Sequence, residues 1–477
     1  MISHAASRSS RRALVAAILI GVLSVASEAY GTLTAMPTVA SHFGHLELYD
    51  WAFTLFMTAQ VFGIVLAGRA CDRIGVLVPL ITGFLLFAAG LAGAGAARSM
   101  DVLLAMRLIQ GLGGGFLNVA LMVLVGRFFS DEERPRIMAL LSFCWVLPSF
   151  VGPPVAAFVT DHFGWHWVFW GLIPVLAAGL VVGGPPMHEV ARSDRAQRSR
   201  GKYSNAAPGT GAGSAGQVPI WAAGAAAAGA ALIQYAGHRL DRIATAAALA
   251  GVLALAVSVP AIMPRGFLRA APGLPSVIGS RGLATGAFMT SETYLILVLT
   301  QAHGLSLHAV GFMLSAGAVG WSVGSWVQAR PRLGLRRDQI IMLGAAVNLL
   351  GVVGMFCCAV LLVLPVALMI ACYAVSGFGM GLLVSSTSLA VMTLSRPAQL
   401  GRWTSSLQVC EGLGNSLVVG LAGSVYATLH LGQHWSTVFG AVYLVPTIVA
   451  VVCLVVSVRV GPVHDTTSGT GIHLSGD

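Results

Sequence analysis

An all-α polytopic membrane protein, two six-helix bundles with two further transmembrane helices inserted between them, is predicted by three observations. The chain of 477 residues is 56% hydrophobic and only 9% charged, with a mean hydropathy of +0.83. A soluble domain carries about 25% charged residues, so this surface belongs in lipid. Apolar runs long enough to cross a bilayer recur along the whole length. The second half of the chain repeats features of the first.

A helix needs about 20 mostly apolar residues to span the hydrocarbon core. That rule predicts spans at 13–37, 50–69, 77–97, 102–126, 135–160 and 166–185, forming an N-terminal bundle over 1–185. A polar, basic, Gly/Ser-rich linker is expected over 186–217, then two inserted spans at 218–236 and 243–263. A second linker, 264–279, leads to a C-terminal bundle over 280–458 with spans at 280–302, 308–328, 339–363, 366–394, 403–428 and 435–458; residues 459–477 are a tail. The start has the basic residues and apolar run of a signal peptide. The run continues past Glu28 to about Ala40 and has a second copy deep in the chain, so it reads as a first membrane span.

Arginine placement gives the orientation. Arg8, Arg11 and Arg12 precede the first span, and even-numbered loops hold Arg69/Arg73, Arg127/Arg134/Arg136, Arg192 to Lys202, Arg265/Arg269/Arg281, Arg330/Arg332/Arg336/Arg337 and Arg396/Arg402. Odd loops hold only Arg98 and the Arg239/Arg242 pair. Lys and Arg favour cytoplasmic loops, so both termini are expected in the cytoplasm of a multi-pass protein of the cell (inner) membrane. The net charge of +10 is thereby topology and not a nucleic-acid footprint. Seven scattered cysteines form no C-x-x-C pair, and His162 and His166 have no acidic or cysteine company, so neither disulfide framework nor metal site is expected. The stretch GTGAGSAG at 209–216 lacks the Gly-Lys-Ser/Thr ending and a preceding strand, so it reads as flexible linker and no cofactor is expected. Trp165, Trp167 and Trp170 are expected at the membrane interface.

The repeat is read from four matches in order. Ser-Glu-x-Tyr occurs at Glu28 and Glu292, 264 positions apart, and Gln110-Gly-x-Gly-x-Gly is echoed by Ser376-Gly-x-Gly-x-Gly at 266. Arg136 matches Arg402 at 266, and Trp167 matches Trp435 at 268. Two homologous halves place a substrate site between them near the bilayer midplane, opened alternately to either side.

With these features the chain resembles the major facilitator superfamily, in particular its fourteen-helix drug:proton antiporters. Gly68, Asp72, Arg73 and Gly75 match the loop motif between helices two and three, with Val76 and Leu77 where basic residues usually follow. Arg107, Gln110 and Gly111 match the helix-four motif. Gly152-Pro153 matches the helix-five antiporter motif, flanked by Pro148, Ala156 and Ala157 in place of glycines. Glu28, with Ala35 and Pro37 behind it, stands at the acid position of the first-helix signature. The resemblance implies proton-coupled efflux by alternating access.

A charged group at a membrane helix centre costs about 2.5–3.5 kcal/mol on insertion scales, so such residues are candidates for function. Here they are Glu28, Glu292, Glu411 and Arg107, expected to couple protons and substrate; Arg107 has Tyr373 as its repeat partner, so the second half lost that charge. A buried carboxyl can take a proton from one side and release it to the other. Gly68, Asp72, Arg73 and Gly75 are expected to gate, and Gly152-Pro153 to kink the fifth helix. Tyr30, Tyr294, Phe116, Asn118, Met289 and Gln408 are candidates for lining a cavity. The expected partners are protons, the lipid bilayer and a small amphipathic, cationic substrate, with the protein a monomer. Transport of an endogenous lipid, siderophore or metabolite is the alternative; a non-transporting sensor or scaffold ranks below it, and no nucleophile–base pair points to an enzyme.

Overall fold

The computed structural model describes residues 8–45, 48–199, 218–237, 242–330, 334–429 and 434–463. Among them there is no strand. The first half holds α1 (Arg8–His42), α2 (Tyr49–Ile74), α3 (Leu77–Gly95), α4 (Met100–Phe128), α5 (Arg134–Phe163), the short α6 (His166–Trp170) and α7 (Leu172–Ser199). The inserted pair is α8 (Ile220–Gly237) and α9 (Arg242–Ile262). The second half holds α10 (Leu274–Leu297), α11 (Leu307–Gln328), α12 (Arg337–Val360), α13 (Val366–Leu394), α14 (Leu400–Leu429) and α15 (Trp435–Val458). Thirteen segments of the described chain are long and apolar enough to cross a membrane, and Ile220–Ile233 of α8 is a shorter apolar stretch.

The halves repeat one packing scheme. In the first, α4 lies against α2 and α3, and α1 against α5 and α7; in the second, α13 lies against α11 and α12, and α10 against α14 and α15. The Gly-x-Gly-x-Gly runs build this contact. A methyl group added at Gly111 or Gly115 would strike α2 backbone at Phe56 and Gln60, and one at Gly113 would strike Phe87 of α3. The same additions at Gly377, Gly381 and Gly379 would strike Gly317, Trp321 and Asn348. Small residues let membrane helices approach to backbone contact, and here they set equivalent helices at equivalent places. Between halves, α2 meets α14 and α5 meets α11, while α8 packs along both α2 and α14.

Two boundaries and two side chains differ from the sequence reading. Helix α7 continues to Ser199, so the first part of the 186–217 linker is helical; Ala, Glu and Arg there are good helix formers even without apolar character. Helix α10 starts at Leu274, with Pro275 in its first turn, where proline's missing N–H costs nothing. Residues 274–279 therefore leave the second linker. Arg281, read as a loop residue, lies two turns inside that helix and is buried. Trp165 is buried against Phe43, His166 and Phe169, so it anchors a helix end internally; Trp167 is 52% exposed. Residues 209–216, Arg239, Arg332 and the tail from 464 onward lie outside the described residues.

Candidate functional site

In the first half α1 supplies Glu28 and α4 supplies Arg107, and the structure joins them in an ion pair whose members are only 1% and 2% exposed. Glu28 Oε1 also accepts from Thr32 one turn on, at 2.7 Å. Arg107 donates Nε to the Ala52 carbonyl of α2 at 3.1 Å and Nη1 to Gln110 Oε1 at 2.8 Å. Its guanidinium stacks over the Phe56 ring, 4.4 Å from the centroid. A buried charge persists only when paired and hydrogen-bonded, and this arginine satisfies both conditions using three helices.

In the second half the equivalent helices are α10 and α13. Glu292 faces the Tyr373 hydroxyl at the position equivalent to Arg107, and it also lies beside Tyr30 of α1 in the other half. No ion pair among the described residues involves Glu292. Tyr373 occupies the space left by Gly317, where any side chain would strike its ring, and it stacks on Phe288 at 5.4 Å. Phe288 in turn meets Trp321 edge-on at 5.6 Å. Tyr30 is held by Ser149 of α5 and by close approach of Gly152, where a Cβ would sit 3.1 Å from Tyr30 Cβ. Gly152-Pro153 thus stands where α5 passes the tyrosine that faces Glu292. Helix α5 runs unbroken through Pro148, Pro153 and Pro154.

At the arginine-rich end, Asp72 closes one half onto the other. Its two carboxylate oxygens accept the backbone N–H groups of Gly401 and Arg402, each at 2.8 Å, at the start of α14. These N–H groups have no partner within their own helix, and the positive end of the helix dipole favours a carboxylate there. Gly68 and Gly401 lie backbone to backbone. Gly75 ends α2 at φ +96°, a left-handed turn that favours glycine. Arg73 is exposed. Arg127, which the sequence suggested only as a loop charge, is buried and donates to Asp72 at 3.2 Å and to the Pro397 carbonyl at 3.3 Å. A signal for it existed: it ends α4 inside an apolar run. Further in, Gln408 of α14 donates to Asn118 of α4 at 2.9 Å, and Ser142 of α5 to Ser325 of α11 at 2.8 Å. A cavity of about 10 Å³ remains beside Gln408 and Met122, enough for about one water.

The remaining candidates are dispersed. Glu411 pairs with Arg281 at 2.9 Å, and that arginine also bonds Thr387 at 3.1 Å. The pair sits within the second half, apart from the Glu292 cluster. Tyr294 packs on Tyr426 of α14, Phe116 packs against Gly83 of α3, and Met289 is half-buried. His162 and His166 bond the carbonyls of Phe158 and Gly95.

The profile of the major facilitator superfamily matches residues 18–208, and the six-plus-six packing extends the likeness over both halves. Over residues 18–208 the chain is similar to the major facilitator superfamily. A Mycobacterium tuberculosis protein named as a probable multidrug-efflux transporter is 26% identical over 428 residues, 87% of each chain. Multidrug transporter protein MdtP and Multidrug resistance protein 3, both of Bacillus subtilis, are 27% and 30% identical over 35% and 37% of this chain. The chain spans only about a third of the length of those two, 31% and 34%. Among solved structures, the human organic anion transporter MFSD10 matches with TM-score 0.65 at 14% identity, covering 95% of this chain and all of that one. The proton:xylose symporter XylE matches with TM-score 0.64 at 12% identity, covering 96% and 97%. These structures share the major facilitator fold.

Proposed function

We propose that this transporter exports amphipathic, cationic small molecules in exchange for protons, by alternating access, from the cell membrane with its arginine-rich end in the cytoplasm. One observation carries the reading. Glu292 is hydrogen-bonded to a tyrosine of its own half and within electrostatic reach of a tyrosine of the other, with no cation of the described residues beside it. A carboxyl so placed can be neutralised only by a proton or by a cationic substrate, so the two compete for one group. Glu28 has a different part. Its charge is matched by Arg107, so protonating it would strand a buried arginine, and the pair holds the first half in shape. The apolar and aromatic surroundings of Glu292 suit a lipophilic cation.

The test is transport in liposomes with an imposed pH gradient, following efflux of a lipophilic cation dye. Wild type should show gradient-driven flux, and Glu292→Gln should lose it by about tenfold or more and bind the cationic dye more weakly. Full coupling in Glu292→Gln would remove Glu292 as the proton site. No gradient-dependent flux across a broad dye panel would overturn the drug-export reading and favour a lipid, siderophore or metabolite as cargo.

A further inference from the structure

The inserted hairpin of α8 and α9 is tied at its two ends to opposite halves. Just before α8, Arg69 of α2 donates Nη1 to the Val218 carbonyl. At the end of α9, Ser406 of α14 donates its hydroxyl to the Ile262 carbonyl at 2.8 Å, sharing it with the Arg402 carbonyl of its own helix at 3.0 Å. Both ties sit at the arginine-rich end, beside the place where Gly68 packs on Gly401 and Ser405. The Ile262 carbonyl is one of the helix-end acceptors that has no partner within its own helix.

Between the ties the hairpin behaves as one body. Gly229 of α8 and Gly251 of α9 lie in backbone contact. One face of α8, Ala222, Ala223, Ala226 and Ala230, is buried, and Ile233 reaches Gly420 of α14. From Ile220 to Ile233 the helix runs about 20 Å at 1.5 Å per residue, against a hydrocarbon core of about 30 Å. The hairpin therefore follows the α2–α14 seam through most of the membrane.

We propose that this hairpin is a staple across the seam. Because its two ends are fixed relative to each other, parting α2 from α14 at the arginine-rich end must break at least one tie. The staple thus biases the protein towards the conformation closed at that end. The proposal rests on the halves moving against one another, but not on the identity of the cargo or on proton coupling.

Spin labels carried by unnatural amino acids at the exposed positions Glu132 and Arg396 report the distance between halves at that end, without substrate or gradient. The double variant Arg69→Ala/Ser406→Ala should raise the open-to-closed ratio at least about thirtyfold, from the loss of one charge-assisted and one neutral hydrogen bond. Ser406→Ala alone, which keeps every charge, should raise it about threefold to fivefold. Ser424→Ala is the control, because that hydroxyl bonds only the Gly420 carbonyl of its own helix; it should change nothing. Distance distributions of both tie variants that coincide with wild type would overturn the staple, as would an equal shift from Ser424→Ala. A shift in the ratio in a protein that proves unable to couple protons would uphold the staple and refute only the export mechanism.

Discussion

Glu28 with Arg107 and Glu292 with Tyr373 are the same pair of positions in two halves, on equivalent helices, and they differ by one residue type. In the first half that difference makes a closed electrostatic unit. In the second it leaves a carboxylate facing hydroxyls. Duplication preserved the geometry, down to the glycines that seat α4 on α2 and α13 on α11, while the chemistry diverged. The first half keeps an internal ion pair, and the second keeps a carboxylate with no cation of the described residues beside it.

The largest effect that tests this contrast is on stability. Arg107→Ala should cost about 3–5 kcal/mol by leaving Glu28 buried without its cation, seen as a large fall in thermal unfolding temperature in detergent. Glu28→Gln/Arg107→Gln should recover more than half of that loss. A double variant as unstable as the single one would show that the two residues act separately. Glu292→Gln should unfold within about 1 kcal/mol of wild type, because no partner is stranded.

Converting one half into the other sharpens the comparison. Tyr373→Arg places a cation beside Glu292, which favours the ionised carboxylate. Flux should then lose its dependence on the pH gradient by about tenfold while the protein stays folded. An unchanged gradient dependence in a folded variant would mean that the residue facing Glu292 does not govern its proton. A change of similar size is expected at the latch. Asp72→Asn weakens two hydrogen bonds to the first N–H groups of α14, worth about 1–2 kcal/mol. The Glu132–Arg396 distance distribution should move towards the open state by about fivefold to thirtyfold. An unmoved distribution would make Asp72 a passive cap.

The fourteen apolar segments and the duplication were legible because span length, arginine placement and small-residue runs are local properties of the chain. The individual charges inside the membrane were legible for the same reason, since Glu28, Arg107 and Glu292 interrupt apolar runs. Their pairing was not. Glu28 meets Arg107 across two helices, and nothing in either neighbourhood distinguishes a paired carboxylate from an unpaired one; the only hint was Tyr373 at the repeat position of Arg107. Arg281 was misread because a hydropathy window assigns an arginine near a helix end to the loop. Pro275 opens a longer helix than apolarity alone marks out, and the buried Thr387 that receives the guanidinium lies on another helix, α13. The partners of Asp72 in the other half were hidden for another reason: they are backbone N–H groups of residues 401 and 402, and backbone leaves no trace in residue types.

The contacts between halves have a rotational symmetry. With α2 equivalent to α11 and α5 to α14, the contact of α2 with α14 maps onto that of α11 with α5. Each half offers the other the same helices, as subunits do in a two-fold dimer. The inserted hairpin breaks this relation, since α8 packs on α2 and α14 and not on the equivalent pair. The molecule therefore has two unlike flanks. One is walled by an extra layer of helix, and at the other α5 and α11 meet without that wall, giving a nearly symmetrical pair of halves a left and a right side in the plane of the membrane.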